Sequence, residues 1–285
     1  MTTKALKLLL ITIVQLHCMS LMSQTPRCHY TAEDSATIVR LLNSGLSEPL
    51  DFARQFLGRP YVAHTLELYP DDERLVLNTR ELDCTTFVDI VVALTICVKN
   101  GQTSFADYVR QLHNQRYWNG VCNAYPSRIH YFSDWIRDNS RMGFVSEVQQ
   151  TIAPFTAVQH VSVSFMTSHP DKYVSLSRHP EYIPTIKEQE AALSGREYRY
   201  IPTAEVMRGG SALRQAVHDG DILAITSTAR GLDIAHLGIA VWHGHVLHMI
   251  DASSRFHRVV EERESLASYL NRRADADGIR VVRIR

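Results

Sequence analysis

Between Asp83 and Lys99 the chain holds fifteen residues, Cys84 to Val98, of which only Asp89 is charged. Phe87, Val91, Leu94 and Val98 recur at the helical period, and Ile90 and Cys97 fill the intervening i+3 positions. Asp83 or Thr85 can cap the start, and Lys99-Asn100-Gly101 closes the end. A helix this apolar has to be buried, so the remaining elements must be arranged around it. Cys84 falls in its first turn, where unpaired N–H groups and the positive end of the helix dipole favour thiolate, the form that attacks carbonyls. A cysteine there can equally be a packing residue, since free cysteine is among the most buried residue types. A general base elsewhere in the chain would decide between the two.

Length and charge narrow the setting. The 285 residues suffice for a substantial core. Lysine plus arginine and aspartate plus glutamate both number 30, and no long charge run occurs, which excludes the electrostatic footprint of a nucleic-acid binder. Lys4 and Lys7, the interrupted apolar run Leu8 to Met22 and the following Ser23-Gln24 are expected to form a secretory signal peptide, residues 1–23, leaving an exported protein, in a periplasmic setting. The run is too short and too interrupted for the roughly 20 apolar residues of a membrane anchor. Cys18 is preceded by His17, which is not the small residue that lipoprotein processing requires. Residues 24–285 are expected to be a single catalytic domain of unknown oligomeric state.

Beyond the leader there are four cysteines, Cys28, Cys84, Cys97 and Cys122. Thirteen residues of helix would separate Cys84 from Cys97 by about 20 Å, so these two cannot bridge. Cys97 lies on the apolar stripe, and Cys28 and Cys122 can be free or paired. Upstream, Thr31 to Ser44 reads as a capped amphipathic helix, and Ser47-Glu48-Pro49 opens a second that ends at Gly58. Downstream, Tyr117-Trp118-Asn119-Gly120 is a turn-like aromatic cluster, and Ser127 is expected to cap a helix bearing Tyr131, Phe132, Trp135 and Ile136. Val161 to Phe165 reads as a strand, Ile186 to Leu193 as a helix and Tyr198 to Pro202 as extended. The weak patterning of residues 105–215 suggests an insertion in a smaller core.

The C-terminal part has clear strand patterning. Ile222 to Ile225 is one strand, and His236 to Trp242 and His245 to Asp251 form a hairpin around His243-Gly244. With that two-residue loop, His236 would lie opposite Asp251 on one face and His248 would point the other way. A one-residue slip would undo the pairing. Gly238 and Ala240, on the His236 face, would let the cysteine helix approach. Asp251 can then hold the His236 imidazole in one tautomer while the other nitrogen meets the thiol, which makes a nucleophile, a base and an orienter in Cys84, His236 and Asp251.

Gly58-Arg59-Pro60-Tyr61, Asp83-Cys84-Thr85-Thr86-Phe87, His236-Leu237-Gly238-Ile239-Ala240 and Asp251-Ala252-Ser253-Ser254 resemble the ordered motifs of the NlpC-type, papain-like cell-wall cysteine peptidases and amidases. The resemblance implies an α+β fold in which an N-terminal helix carrying the cysteine packs against an antiparallel sheet, here with a large insertion. It carries over Cys84 as nucleophile, His236 as base and Asp251 as orienter, and Tyr61, Asp83 and Thr85 as substrate or oxyanion contacts. Trp118, Arg128 and Tyr131 become candidates for a substrate wall.

Two departures shift the implied substrate. The common endopeptidase form has Asp-Cys-Ser-Gly, where Thr85 and Thr86 stand here, and its third residue is commonly histidine rather than Asp251. Together with Ser127-Arg128-Ile129-His130-Tyr131 and the stretch Phe165 to Tyr173, these features are similar to a long-insert branch associated with N-acetylmuramoyl-L-alanine amidase activity on muropeptides. The implied chemistry is thioester formation at the amide between N-acetylmuramic acid and L-alanine, without a cofactor. Three readings compete with it: a γ-D-glutamyl-diamino-acid endopeptidase on the same fold, a metal site built from His236, His243, His245 and His248, and a non-catalytic wall-binding module. The metal site needs convergent ligands, which the opposed faces of His236 and His248 deny it.

Overall fold

The structure, a computed structural model, describes residues 26–285. The expected signal peptide lies outside the described residues. Among those described, no helix is long and apolar enough to cross a membrane.

Two short helices lead in, α1 (Ala32–Leu42) and α2 (Pro49–Arg54). Helix α1 begins with a reciprocal cap in which Thr31 Oγ1 accepts from Asp34 N and Asp34 accepts from Thr31 N. The apolar run forms α3 (Cys84–Lys99). Of its two candidate caps the structure uses Asp83, whose side chain accepts from Thr86 N at 2.8 Å while Thr86 Oγ1 accepts from Asp83 N at 2.9 Å. Every residue from Thr86 to Cys97 is buried. Helices α4 (Phe105–Arg116) and α5 (Phe132–Arg141) cover a further side of α3. Asp89, the one charge in α3, accepts from Arg116 Nε at 2.8 Å and from Trp135 Nε1 at 3.1 Å, so the buried carboxylate is paired and hydrogen-bonded.

A small parallel pair joins β1 (Cys28–His29) to β2 (Leu75–Val76). The main sheet has eight strands. They are β3 (Val145–Glu147), β4 (Ala157–His160), β5 (Glu197–Pro202), β6 (Ile222–Ser227), β7 (Ile234–His243), β8 (Val246–Ser253), β9 (Arg258–Glu261) and β10 (Ala276–Ile284). Their spatial order is β4-β5-β10-β6-β7-β8-β9, with β3 also on β10, and every pairing is antiparallel. The fold is therefore α+β with an antiparallel sheet. Leu237, Ile239 and Val241 of β7 pack with α3, whereas Ala240 and Met249 turn to a second core with Val206, Leu213, Tyr269 and Leu270.

Residues 105–215 divide between cores. Helices α4 and α5 supply Tyr108, Leu112, Phe132 and Trp135 to the core around α3, and β3 and β5 extend the main sheet through β10. Only the segment around Tyr125, Val161, Met166, Leu176, Ile186 and Leu193 has a core of its own. Local patterning obscured this because strands of three to six residues are too short to show a period.

Three local expectations need correction. Val161 to Phe165 is no strand: Val163 makes one isolated bridge to Gly231, and Phe165 begins a helical turn. Ser127 closes a 3₁₀ turn with its hydroxyl on Ala124 O, while the helix begins at Phe132. The hairpin turns on Gly244-His245, so that His243 pairs with Val246. Gly244 has φ 61° and His245 is not left-handed, the pattern of a II′ turn, in which glycine belongs at the first central position rather than the second. All four described cysteines are free.

Candidate active site

Cys84 is the first residue of α3. Asp83 and its cap satisfy Thr86 N, and Phe87 N reaches Asp83 O at 3.0 Å, which leaves the amides of Cys84 and Thr85 without intrahelical partners. The thiol opens into a cleft of about 170 Å³ that Thr85 and His236 also line.

His236 Nε2 lies 2.6 Å from Asp251 Oδ2, with Asp251 fully buried. The pair forms although the expected register does not. In the observed register Ile239 faces Ile250, and continuing it places Asp251 across from Gly238. Relative to the expectation the shift is two residues, which preserves faces, so His236 meets Asp251 diagonally. A bulge lies beside the histidine: His236 pairs with Ile225, but Ile234 pairs with Thr226. Such an irregularity re-aims neighbouring side chains.

Because Nε2 is committed to Asp251, Nδ1 is the nitrogen available to Cys84. Burial works against a charged imidazole here, yet the Cys84 sulfur and the Asp251 hydrogen bond outweigh it and hold the His236 pKa well above its ordinary value. Tyr269, from the helical turn Leu266–Asn271, stacks on His236 with ring centroids 6.4 Å apart, and Arg273 Nη1 donates to its hydroxyl at 2.8 Å.

Gly238 and Ala240 do not make room for α3. A Cβ on Gly238 would meet Met249 Sδ at 3.0 Å, and Ala240 packs in the second core, both away from the cysteine helix. His248 is likewise not beside His236; its Nδ1 lies 3.0 Å from Glu262 O, and His243 bonds Glu261. Among the described residues no three His, Cys, Asp or Glu side chains gather as a metal site.

The other expected site residues separate. Thr85 is exposed at the cleft, and Asp83 serves as the α3 cap. Tyr61 is held between β9 and the α3 entry, its N–H donating to His257 O at 3.0 Å and its position paired with Leu82. Burial, then the electrostatic influence of Cys84 and Asp83, push its phenol pKa up, but Tyr61 does not line the cleft. Tyr131 lines the cleft. Arg128 and Trp118 do not. Arg128 is buried, with Nη2 2.6 Å from Glu67 Oε1 and its guanidinium over the Tyr125 ring, and Trp118 lies beneath Arg137. Of the remaining walls, His130, Met166, Tyr173 and Asp233 were not singled out from sequence individually, although His130, Met166 and Tyr173 fall within the two stretches noted there. Tertiary folding alone carries them to Cys84.

The AmiA-like family, described as N-acetylmuramoyl-L-alanine amidase-like, matches residues 51–279. Among solved structures, an N-acetylmuramoyl-L-alanine amidase from Bacteroides uniformis is 38% identical, covering 84% of this chain and 98% of its own with a TM-score of 0.77. A candidate xylanase from Bacteroides fragilis is 37% identical, covering 82% of this chain and 100% of its own, TM-score 0.76. A Legionella pneumophila protein of the DUF1460 type shares the fold at 21% identity, covering 88% and 94%, TM-score 0.68. No curated protein matches.

Proposed function

Because the chain belongs to the AmiA-like, N-acetylmuramoyl-L-alanine amidase-like family, we propose that it hydrolyses the amide between N-acetylmuramic acid and L-alanine in muropeptides, with Cys84 as nucleophile. The observation that carries the reading is the His236 imidazole, bonded to Asp251 through Nε2 and lining the same cleft as Cys84. We read α3 against the antiparallel sheet as a papain-like core, and residues 1–23 as the leader of an exported, periplasmic protein.

The residues supply each step. Sulfur anion and imidazolium stabilise one another, and the sulfur attacks the lactyl carbonyl. The amides of Cys84 and Thr85 and the Tyr61 hydroxyl are the donors for the oxyanion. As the C–N bond breaks, His236 Nδ1 gives its proton to the alanine nitrogen, leaving a thioester on Cys84. Water, deprotonated by the now neutral His236, attacks the thioester, releases the carboxylate and restores the ion pair. Asp251 holds the tautomer throughout, as carboxylates do for catalytic histidines.

Xylan hydrolysis, suggested by one relative's description, fits the cleft less well. Glycosidases ordinarily flank the scissile bond with two carboxyl groups. Among the described residues, the only carboxylate lining this cleft is Asp233, whose Oδ2 already accepts from Ser133 N at 2.7 Å.

Mass spectrometry of defined muropeptides incubated with the protein and with Cys84→Ala tests the proposal. The expected products are a free N-acetylmuramic acid end and an intact stem peptide, formed by the wild type alone. Release of an L-alanyl-γ-D-glutamate dipeptide would instead identify a γ-D-glutamyl-diamino-acid endopeptidase, and intact substrate under reducing conditions would overturn the enzymatic reading.

A further inference from the structure

His130 lines the same cleft as Cys84 without belonging to the catalytic set. Its Nε2 lies 3.1 Å from Tyr125 O, and a carbonyl can only accept, so Nε2 carries the proton. Burial, reinforced by the neighbouring Arg128 guanidinium, lowers the His130 pKa to about 3. The ring is therefore neutral at any physiological pH, and Nδ1 is a bare acceptor with no partner among the described residues. Asp233 adds a second acceptor, and Tyr131, Tyr173 and Met166 supply apolar wall. Apart from His236, the described residues contribute no cationic side chain to the lining.

This chemistry selects between the two ends of the substrate. A stem peptide beyond its alanine carries carboxylates, which seek cations or N–H donors. The sugar is uncharged and rich in hydroxyl and acetamido N–H donors. We infer that His130 is a specificity residue whose Nδ1 accepts a hydrogen bond from a donor of the N-acetylated sugar, which seats the glycan side of the scissile amide in this cleft. The inference rests on the muropeptide reading above.

Two substitutions separate recognition from structural support. In His130→Gln the terminal amide can still donate to Tyr125 O but offers nothing where Nδ1 stood. In His130→Asn the shorter amide places an acceptor near the Nδ1 position and abandons the anchor. Binding is measured by calorimetry in the Cys84→Ala background, with N-acetylmuramoyl-L-alanyl-D-isoglutamine and with the sugar-free lactoyl-L-alanyl-D-isoglutamine. His130→Gln should weaken the sugar ligand about three- to tenfold, the worth of one hydrogen bond, and leave the lactoyl ligand unchanged. His130→Asn should keep most of the affinity.

The opposite order, with Asn worse than Gln, or an equal loss on both ligands, shows a structural role and overturns the inference. So does unaltered binding of the sugar ligand by His130→Gln. If the muropeptide binds in the predicted order but the wild type never cleaves it, the amidase reading fails while the recognition role stands. If the Cys84→Ala protein binds neither ligand, both fall.

Discussion

His236 and Asp251 meet at 2.6 Å although they are diagonal neighbours on adjacent strands rather than a cross-strand pair. The contact commits Nε2 and frees Nδ1, so the geometry depends on Asp251 being an acceptor. An asparagine at this place can turn its amide N–H₂ toward Nε2 and stabilise the other tautomer. Asp251→Asn should therefore lower kcat on a muropeptide by about 10⁴-fold with little change in fold, the loss seen when a triad aspartate is so replaced. Steady-state kinetics with circular dichroism as the folding control checks it; activity near wild type would remove Asp251 from the site.

Charge on His236 sets a pH limb. Burial lowers its pKa, and the Cys84 sulfur followed by the Asp251 hydrogen bond raise it further than burial lowers it. The folded pKa is thus above the unfolded value of about 6.5, so this group's contribution to stability is complete below about pH 6.5 and is lost as pH rises through the higher folded pKa. Activity that needs the imidazolium should fall over the same alkaline window. In Cys84→Ala the strongest raising influence is gone while burial remains, so the imidazole should titrate at lower pH than in wild type. Histidine side-chain NMR across pH reads this directly, and an unmoved resonance would mean the two groups are not paired.

Asp89 and Arg116 join the interior of α3 to α4 with neither side chain appreciably exposed. Removing only the carboxylate strands a guanidinium in the core. Asp89→Ala should cost about 3–5 kcal/mol in urea unfolding, whereas the double replacement Asp89→Leu with Arg116→Leu should recover much of that loss, because a buried ion pair is strongly destabilising only when broken.

Gly278 sits where β5 crosses closest to β10. A Cβ there would stand 2.2 Å from Ile201 O and 2.7 Å from Pro202 Cα, both backbone atoms that cannot swing aside. Gly278→Ala should cost at least the 1–3 kcal/mol typical of overpacking, read as a lowered urea midpoint. Gly238→Ala presses chiefly on the flexible Met249 side chain, with Ile250 O next at 3.1 Å, and should cost less.

The helix of Cys84–Lys99, Asp83 as one of its two candidate caps, the strand carrying His236 and the same-face relation of His236 and Asp251 all follow from short-range pattern, because a 3.6-residue period and a two-residue alternation are written into adjacent residues. The hairpin register missed by two residues, since glycine at either central position of a tight turn is chemically sensible and only backbone handedness chooses between them. The alternation survived that error because two is an even number.

The chain by itself determined the central helix with Cys84 in its first turn and the antiparallel strands that carry His236 and Asp251 on one face. Only the tertiary structure decided what surrounds them. It sent Arg128 and Trp118 into ion-pair and cation–π contacts away from the cleft, turned Gly238 and Ala240 to the second core, and brought His130, Tyr173 and Asp233 to the thiol. These walls come from segments far apart in sequence, held by short elements whose placement depends on burial against one another rather than on any local period.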